Sequence, residues 1–162
     1  RILTHRVTMT KSFRVIQFDT SHFSSLKPET KELEIMLSKN SLPKMNGMLH
    51  NVLRVLARRE KHEFNPLHRH GGLFSFVVFI QIPYDLSEED KVFPDTPDKK
   101  TSRLGFVFNE PLAGPEEITL DVDESFIGKM VLFDAKLPHI VYPFYTSNEC
   151  RITASGNVVF AP

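Results

Sequence analysis

The sequence predicts a mainly β domain, a sandwich or jelly roll of short strands. Seven or more short apolar runs, several alternating with polar residues, follow one another along the chain. Gly, Pro and Asp punctuate the gaps between them. The composition agrees: 14 Phe and 11 Pro without any Trp suit a β fold with many turns.

The elements read in order as follows. Residues 1–23 carry one or two short strands, with Phe13 and Val15 flanking Arg14. Residues 24–42 read as a helix that Ser25 or Pro28 opens and Pro43 closes. Leu33, Met36 and Leu37 recur there at helical spacing, so the helix is expected to pack on the outside of the barrel. In residues 51–60, Leu53, Val55 and Ala57 share one face and Arg54 and Arg58 the other. Residues 74–82 are apolar on nearly both faces, as in the middle of a packed sheet. Residues 84–103, with Glu88, Glu89, Asp90, Lys99 and Lys100, form a long charged loop, either a solvated connection or a lid. Strands follow at 104–108, at 118–122 (Ile118, Leu120 and Val122 alternating with polar residues), and at 130–133, 140–144 and 151–160. Together these make one domain over residues 1–162, with 1–45 as an N-terminal extension and 50–160 as the core.

Twenty basic and twenty acidic residues balance to zero formal charge, which speaks against a nucleic-acid partner and for a small-molecule or protein substrate. The single cysteine, Cys150, permits no intrachain disulfide and points to a reducing, cytoplasmic setting. It reads as a plain thiol, since no nucleophile-elbow pattern surrounds it. No apolar run is long enough to span a membrane, and no signal peptide stands at the N-terminus. The chain starts at Arg1, as a fragment would. Edge strands of such a fold would permit a homodimer, which nothing in the sequence specifies.

Three histidines concentrate the chemistry. His68 and His70 have the same parity, so an extended backbone sends both imidazoles to one face. Pro66 precedes them and Gly71-Gly72 follows, as at a strand end. His139 begins a later apolar strand and, in an antiparallel barrel, can reach the first pair. Three ligands leave positions open on an octahedral ion, as catalysis requires, and a nitrogen-rich open site suits Fe(II). Further on, Arg151, Thr153 and Ser155 share one strand face. Turned inward, that guanidinium needs an anion, and a carboxylate ligand held jointly with Thr153 would supply it.

Residues 65–77 (Asn-Pro-Leu-His-Arg-His-Gly-Gly-Leu-Phe-Ser-Phe-Val) through Ile82-Pro83-Tyr84 resemble the metal-binding strand pair of small 2-oxoglutarate/Fe(II)-dependent oxygenases common in phage and marine environmental sequences. So does the stretch from Gly128 through Leu137-Pro138-His139 to Arg151-Ile152-Thr153-Ala154-Ser155-Gly156-Asn157. The resemblance spans about residues 50–160. It implies a double-stranded β-helix, or cupin-like jelly roll, with Fe(II) on His68, His70 and His139. It implies 2-oxoglutarate as cosubstrate, its far carboxylate on Arg151 and Thr153, beside a wall around Phe76, Val78 and Ile80. The implied activity is a dioxygenase that couples hydroxylation to decarboxylation of 2-oxoglutarate to succinate, in the cytoplasm of a phage host.

One departure stands out. Most of that superfamily has a carboxylate where this chain has His70. Either the site holds three neutral ligands, or one histidine is replaced by another residue such as Glu63 or Asp134, or the site holds metal without turnover. Two other readings stay open: a cupin-like metalloenzyme that does not use 2-oxoglutarate, and a non-catalytic jelly-roll binding or assembly module. Tyr84, Tyr142 and Asn157 are second-tier pocket residues. His5, His22, His50 and His62 have no assigned role.

Overall fold

The computed structural model describes residues 13–17 and 52–160. The helix expected over 24–42 lies outside them, as does most of the 1–45 extension. Nine strands are described: β1 (Phe13–Gln17), β2 (Val52–Arg59), β3 (Asn65–His68), β4 (Phe74–Gln81), β5 (Leu104–Glu110), β6 (Gly114–Leu120), β7 (Lys129–Asp134), β8 (His139–Val141) and β9 (Arg151–Val158). One helical turn, α1 (Leu86–Glu89), and one 3-10 turn (Glu124–Phe126) complete the set.

The strands form a β-sandwich of two antiparallel sheets, ordered β1-β7-β4-β9-β2 and β3-β8-β5-β6. The pairing is nested: β2 with β9, β3 with β8, β4 with β7 and β5 with β6. The chain therefore doubles back at the β5–β6 hairpin, and each later strand finds its mirror partner in the earlier half. β4 and β9 lie inside the larger sheet; β4 is apolar on nearly both faces, whereas β9 turns a polar face to the space between the sheets.

Between the sheets lies a Phe-rich core that includes Phe13, Phe79, Phe106, Val131, Phe133 and Phe144. Phe13 stacks on Phe106 with centroids 5.0 Å apart, and Phe106 meets the Phe133 ring edge to face at 5.0 Å. Truncating a fully buried ring such as Phe106 costs about 3–5 kcal/mol. A second apolar cluster, Phe76, Val78, Met130, Ala154 and Val158 with Ile80 beside it, occupies the opposite parity of the larger sheet.

Three expectations need correction. The strand expected over 140–144 ends at Val141, and Pro143, without an N–H, cannot extend its ladder. Of the wall expected at Phe76, Val78 and Ile80, only Phe76 borders the histidine cavity; Val77 and Phe79 do instead. The third concerns residues 84–103, which are not a bare loop. Asp85 caps α1 by accepting from the Ser87 amide at 2.7 Å. The fully buried Glu89 carboxylate accepts from the Tyr145 amide at 3.0 Å, the Thr146 amide at 2.7 Å and the Thr146 hydroxyl at 2.6 Å. Arg103 donates to both Asp90 oxygens, at 2.6 and 3.1 Å, and to Asp121 at 2.7 Å. The segment is clamped at its helix and at its exit, and none of its residues lines the histidine cavity.

Candidate metal centre

His68 ends β3 and His139 begins β8, and the two are direct register partners. His70 lies two residues beyond β3, where its amide donates to the Ala135 carbonyl at 2.8 Å. The turn that follows depends on Gly72. Its φ is +109°, and a Cβ there would stand 2.8 Å from the Val158 carbonyl oxygen. The ring centroids lie 4.2 Å (His68–His139), 4.9 Å (His68–His70) and 5.1 Å (His70–His139) apart. One ring nitrogen from each falls within 4.8 Å of the others. Two ligands at right angles on bonds of about 2.1 Å would be about 3 Å apart, so small side-chain rotations would close the cluster on an ion.

Backbone carbonyls set the tautomers of two of the rings. His68 Nδ1 donates to the Pro66 carbonyl at 2.6 Å, and His139 Nδ1 to the Leu137 carbonyl at 3.0 Å. A carbonyl only accepts, so these nitrogens carry the proton and Nε2 keeps its lone pair, the arrangement that orients a metal-binding imidazole. Burial pushes the His139 imidazole down to about 4, against its bond to Leu137 and with repulsion from His68 and His70. His70 is also held below its ordinary value, by burial first and by His68 second. At neutral pH these two rings are uncharged imidazoles, each with one ring nitrogen lone pair available. The Phe133 ring, 4.7 Å from that of His139, supplies part of the apolar surround.

The three histidines open onto a cavity of about 260 Å³ between the sheets. Arg151, Thr153, Ser155 and Asn157, alternate residues of β9, line it, as the alternation of that strand predicts. Arg151 is 2% exposed. Its Nη1 donates to the Tyr142 carbonyl at 3.2 Å and, at the long limit, to the Ser102 carbonyl at 3.4 Å. Its Nη2 has no partner, and no carboxylate pairs with the guanidinium among the described residues. The guanidinium carbon sits 5.6 Å from the Phe144 ring centre. Tyr142 lies just past the end of β8 and His139 at its start, so the guanidinium and that histidine stand at opposite ends of the strand. Among the described residues, no Asp or Glu lines the cavity.

The acidic alternatives are occupied elsewhere. Asp134 accepts from the Lys136 amide at 2.8 Å in the β7–β8 turn, and Glu63 accepts from the Glu60 amide at 2.8 Å. Neither belongs to the histidine cluster. Of the second-tier residues, Asn157 lines the cavity and accepts from the Ser75 hydroxyl at 2.6 Å. Tyr84 stands behind Arg151, its hydroxyl donating to the Ser102 carbonyl at 3.2 Å; burial raises its pKa and the guanidinium opposes this. Tyr142 turns its hydroxyl away, to Glu117 at 2.9 Å. His62 lies against Tyr145, with centroids 5.1 Å apart, and Cys150 is half-buried and unpaired. His5, His22 and His50 fall outside the described residues.

Asn65 and Arg59 are among the cavity residues not singled out from the sequence. Asn65 Nδ2 donates to His68 Nε2 at 3.2 Å, occupying the nitrogen an ion would need. Its signal was position alone, three residues before a candidate ligand. Arg59 also lines the cavity. It continues the inward parity of Ala57, which could have marked it. Comparison of the chain with protein-family models and with curated proteins gives no match. No helix among the described residues is long and apolar enough to cross a membrane.

Proposed function

We propose that this chain is an Fe(II)/2-oxoglutarate-dependent dioxygenase on a double-stranded β-helix. One observation carries the reading: a buried guanidinium with an unsatisfied Nη2 opens onto the same cavity as three convergent imidazoles. The nested strand pairing supports the fold, since a long antiparallel ribbon rolled into two sheets is a jelly roll. The donor set fits a divalent transition metal: His139 and His70 are neutral, and the tautomers of His68 and His139 leave the Nε2 lone pairs to ligate once Asn65 releases that of His68.

Iron with 2-oxoglutarate would supply the dioxygen chemistry for hydroxylation, with succinate and carbon dioxide as coproducts. The chain's own residues bind and shield. His68, His70 and His139 hold the ion. Arg151 takes the far carboxylate of the cosubstrate through the unpaired Nη2, and Thr153 adds a hydroxyl donor from the same face of β9. Val77, Phe79 and Phe133 exclude water from the space between.

Anaerobic addition of Fe(II) and 2-oxoglutarate tests this. The expected result is a weak visible charge-transfer band that His139→Ala and Arg151→Ala both abolish. Bound iron without that band in the wild type would overturn the proposal. The all-histidine cluster favours one other reading, a cupin-like metalloenzyme that does not use 2-oxoglutarate; there, Arg151→Ala would leave activity intact.

A further inference from the structure

We propose that Arg59 and Arg151 form a two-guanidinium clamp for one carboxylate of a dicarboxylate ligand. The inference rests on the proposed function and names a second anchor for its cosubstrate. Arg59 ends β2 and Arg151 begins β9, and the two are direct cross-strand partners. Residues so placed have Cβ atoms about 4.5–5.5 Å apart on the same sheet face. Both side chains open onto the histidine cavity.

Like charges directly opposite one another destabilise a sheet, and a buried cation needs an anion. Among the described residues none is supplied here: no acidic residue lines the cavity, and neither arginine has a carboxylate partner. Elsewhere the same fold does neutralise a buried guanidinium, placing Asp90 and Asp121 on Arg103. An anion between Arg59 and Arg151 would convert the repulsive pair into two charge-assisted contacts and satisfy Arg151 Nη2. The histidines lie at the other end of the cavity, so the ligand would present a metal-binding group there and a carboxylate here. Arg59 thus acts as a specificity residue, favouring dicarboxylates over keto acids with an apolar tail.

The test uses two probes on the full chain: 2-oxoglutarate, and glutarate, which has both carboxylates but no keto oxygen to chelate. Affinities are read by calorimetric titration with and without Mn(II), together with Mn(II) affinity itself. Expected for Arg59→Gln is a loss of roughly 10- to 100-fold in affinity for both probes, with Mn(II) affinity unchanged. Arg59→Lys should recover part of the loss, which a general folding defect would not allow. Wild-type affinity for both probes in Arg59→Gln would overturn the clamp. If Mn(II) strengthens 2-oxoglutarate binding in that variant as in the wild type, the proposed function survives its failure. If glutarate binding depends on Arg59 but Mn(II) adds nothing to 2-oxoglutarate, the clamp stands and the cosubstrate assignment falls.

Discussion

Arg103 and Arg151 are both buried, and the fold treats them oppositely. Arg103, 6% exposed, donates to two carboxylates and closes the charged segment before β5. Arg151, 2% exposed, has two carbonyl contacts at 3.2 and 3.4 Å and an empty Nη2. The first is a completed structural pair. The second is an incomplete one, and the cavity before it ends in three imidazoles. Burying a cation is costly unless its partners are present, so the contrast separates a charge that holds the fold from one that awaits a ligand.

The largest expected effect tests the cavity side. His139→Ala should weaken Fe(II) or Mn(II) binding by more than about 100-fold, beyond the usual loss from an outer-shell partner. Anaerobic titration measures this, and unaltered affinity would reduce the histidine cluster to coincidence.

Acid should separate the regions next. The unfolded chain protonates His139 near 6.5, whereas the folded one does so only at about 4. Between those values the unfolded state binds more protons, so metal-free stability falls as pH drops from 6.5 towards 4 and levels off below. The upper limit is about 3 kcal/mol. Urea melts at pH 7, 5.5 and 4 should show the decline, and His139→Gln should remove most of it.

The two arginines are then compared directly. Arg103→Met should cost roughly 2 kcal/mol, less than for a fully buried pair because Asp90 and Asp121 keep 33% and 69% side-chain exposure. Arg151→Met should leave ligand-free stability within about 1 kcal/mol of wild type. Its 2-oxoglutarate affinity should nonetheless fall roughly 100-fold. Equal destabilisation by the two variants would erase the contrast. The smallest effect belongs to Asn65→Ala: freeing His68 Nε2 from its hydrogen bond should tighten metal binding by roughly 5-fold. A weaker site in that variant would mean that Asn65 supports the ion instead of competing with it.

How much of this was legible in the sequence depended on alternation. β9 carries Arg151, Thr153, Ser155 and Asn157 against Ile152, Ala154 and Val158, so the residues that share a face could be read from parity, while its inward direction depended on the histidines. The shared parity of His68 and His70 worked in the same way, although His70 lies beyond the end of β3. β4 gave the wrong wall because it is apolar on both faces between its two polar residues, Ser75 near its start and Gln81 at its end. The order within residues 84–103 was hidden because its anchor is remote: Glu89 bonds to Tyr145 and Thr146, more than fifty positions away. Arg59 sat at the end of an arginine-rich run, where its shared parity with Ala57 is a weak mark and its cross-strand partner supplies the rest.

The site has one mechanical consequence. Among the described strands β3 is the outermost of its sheet, and Leu67 on it is exposed. His68 and His139, the pair that joins this margin to β8, are the same rings that converge for an ion. An ion gripped by both would act as a rivet through the rim of the sandwich. Amide hydrogen exchange across residues 65–70 should slow on loading, so the stiffness of one short border would report whether the centre is filled.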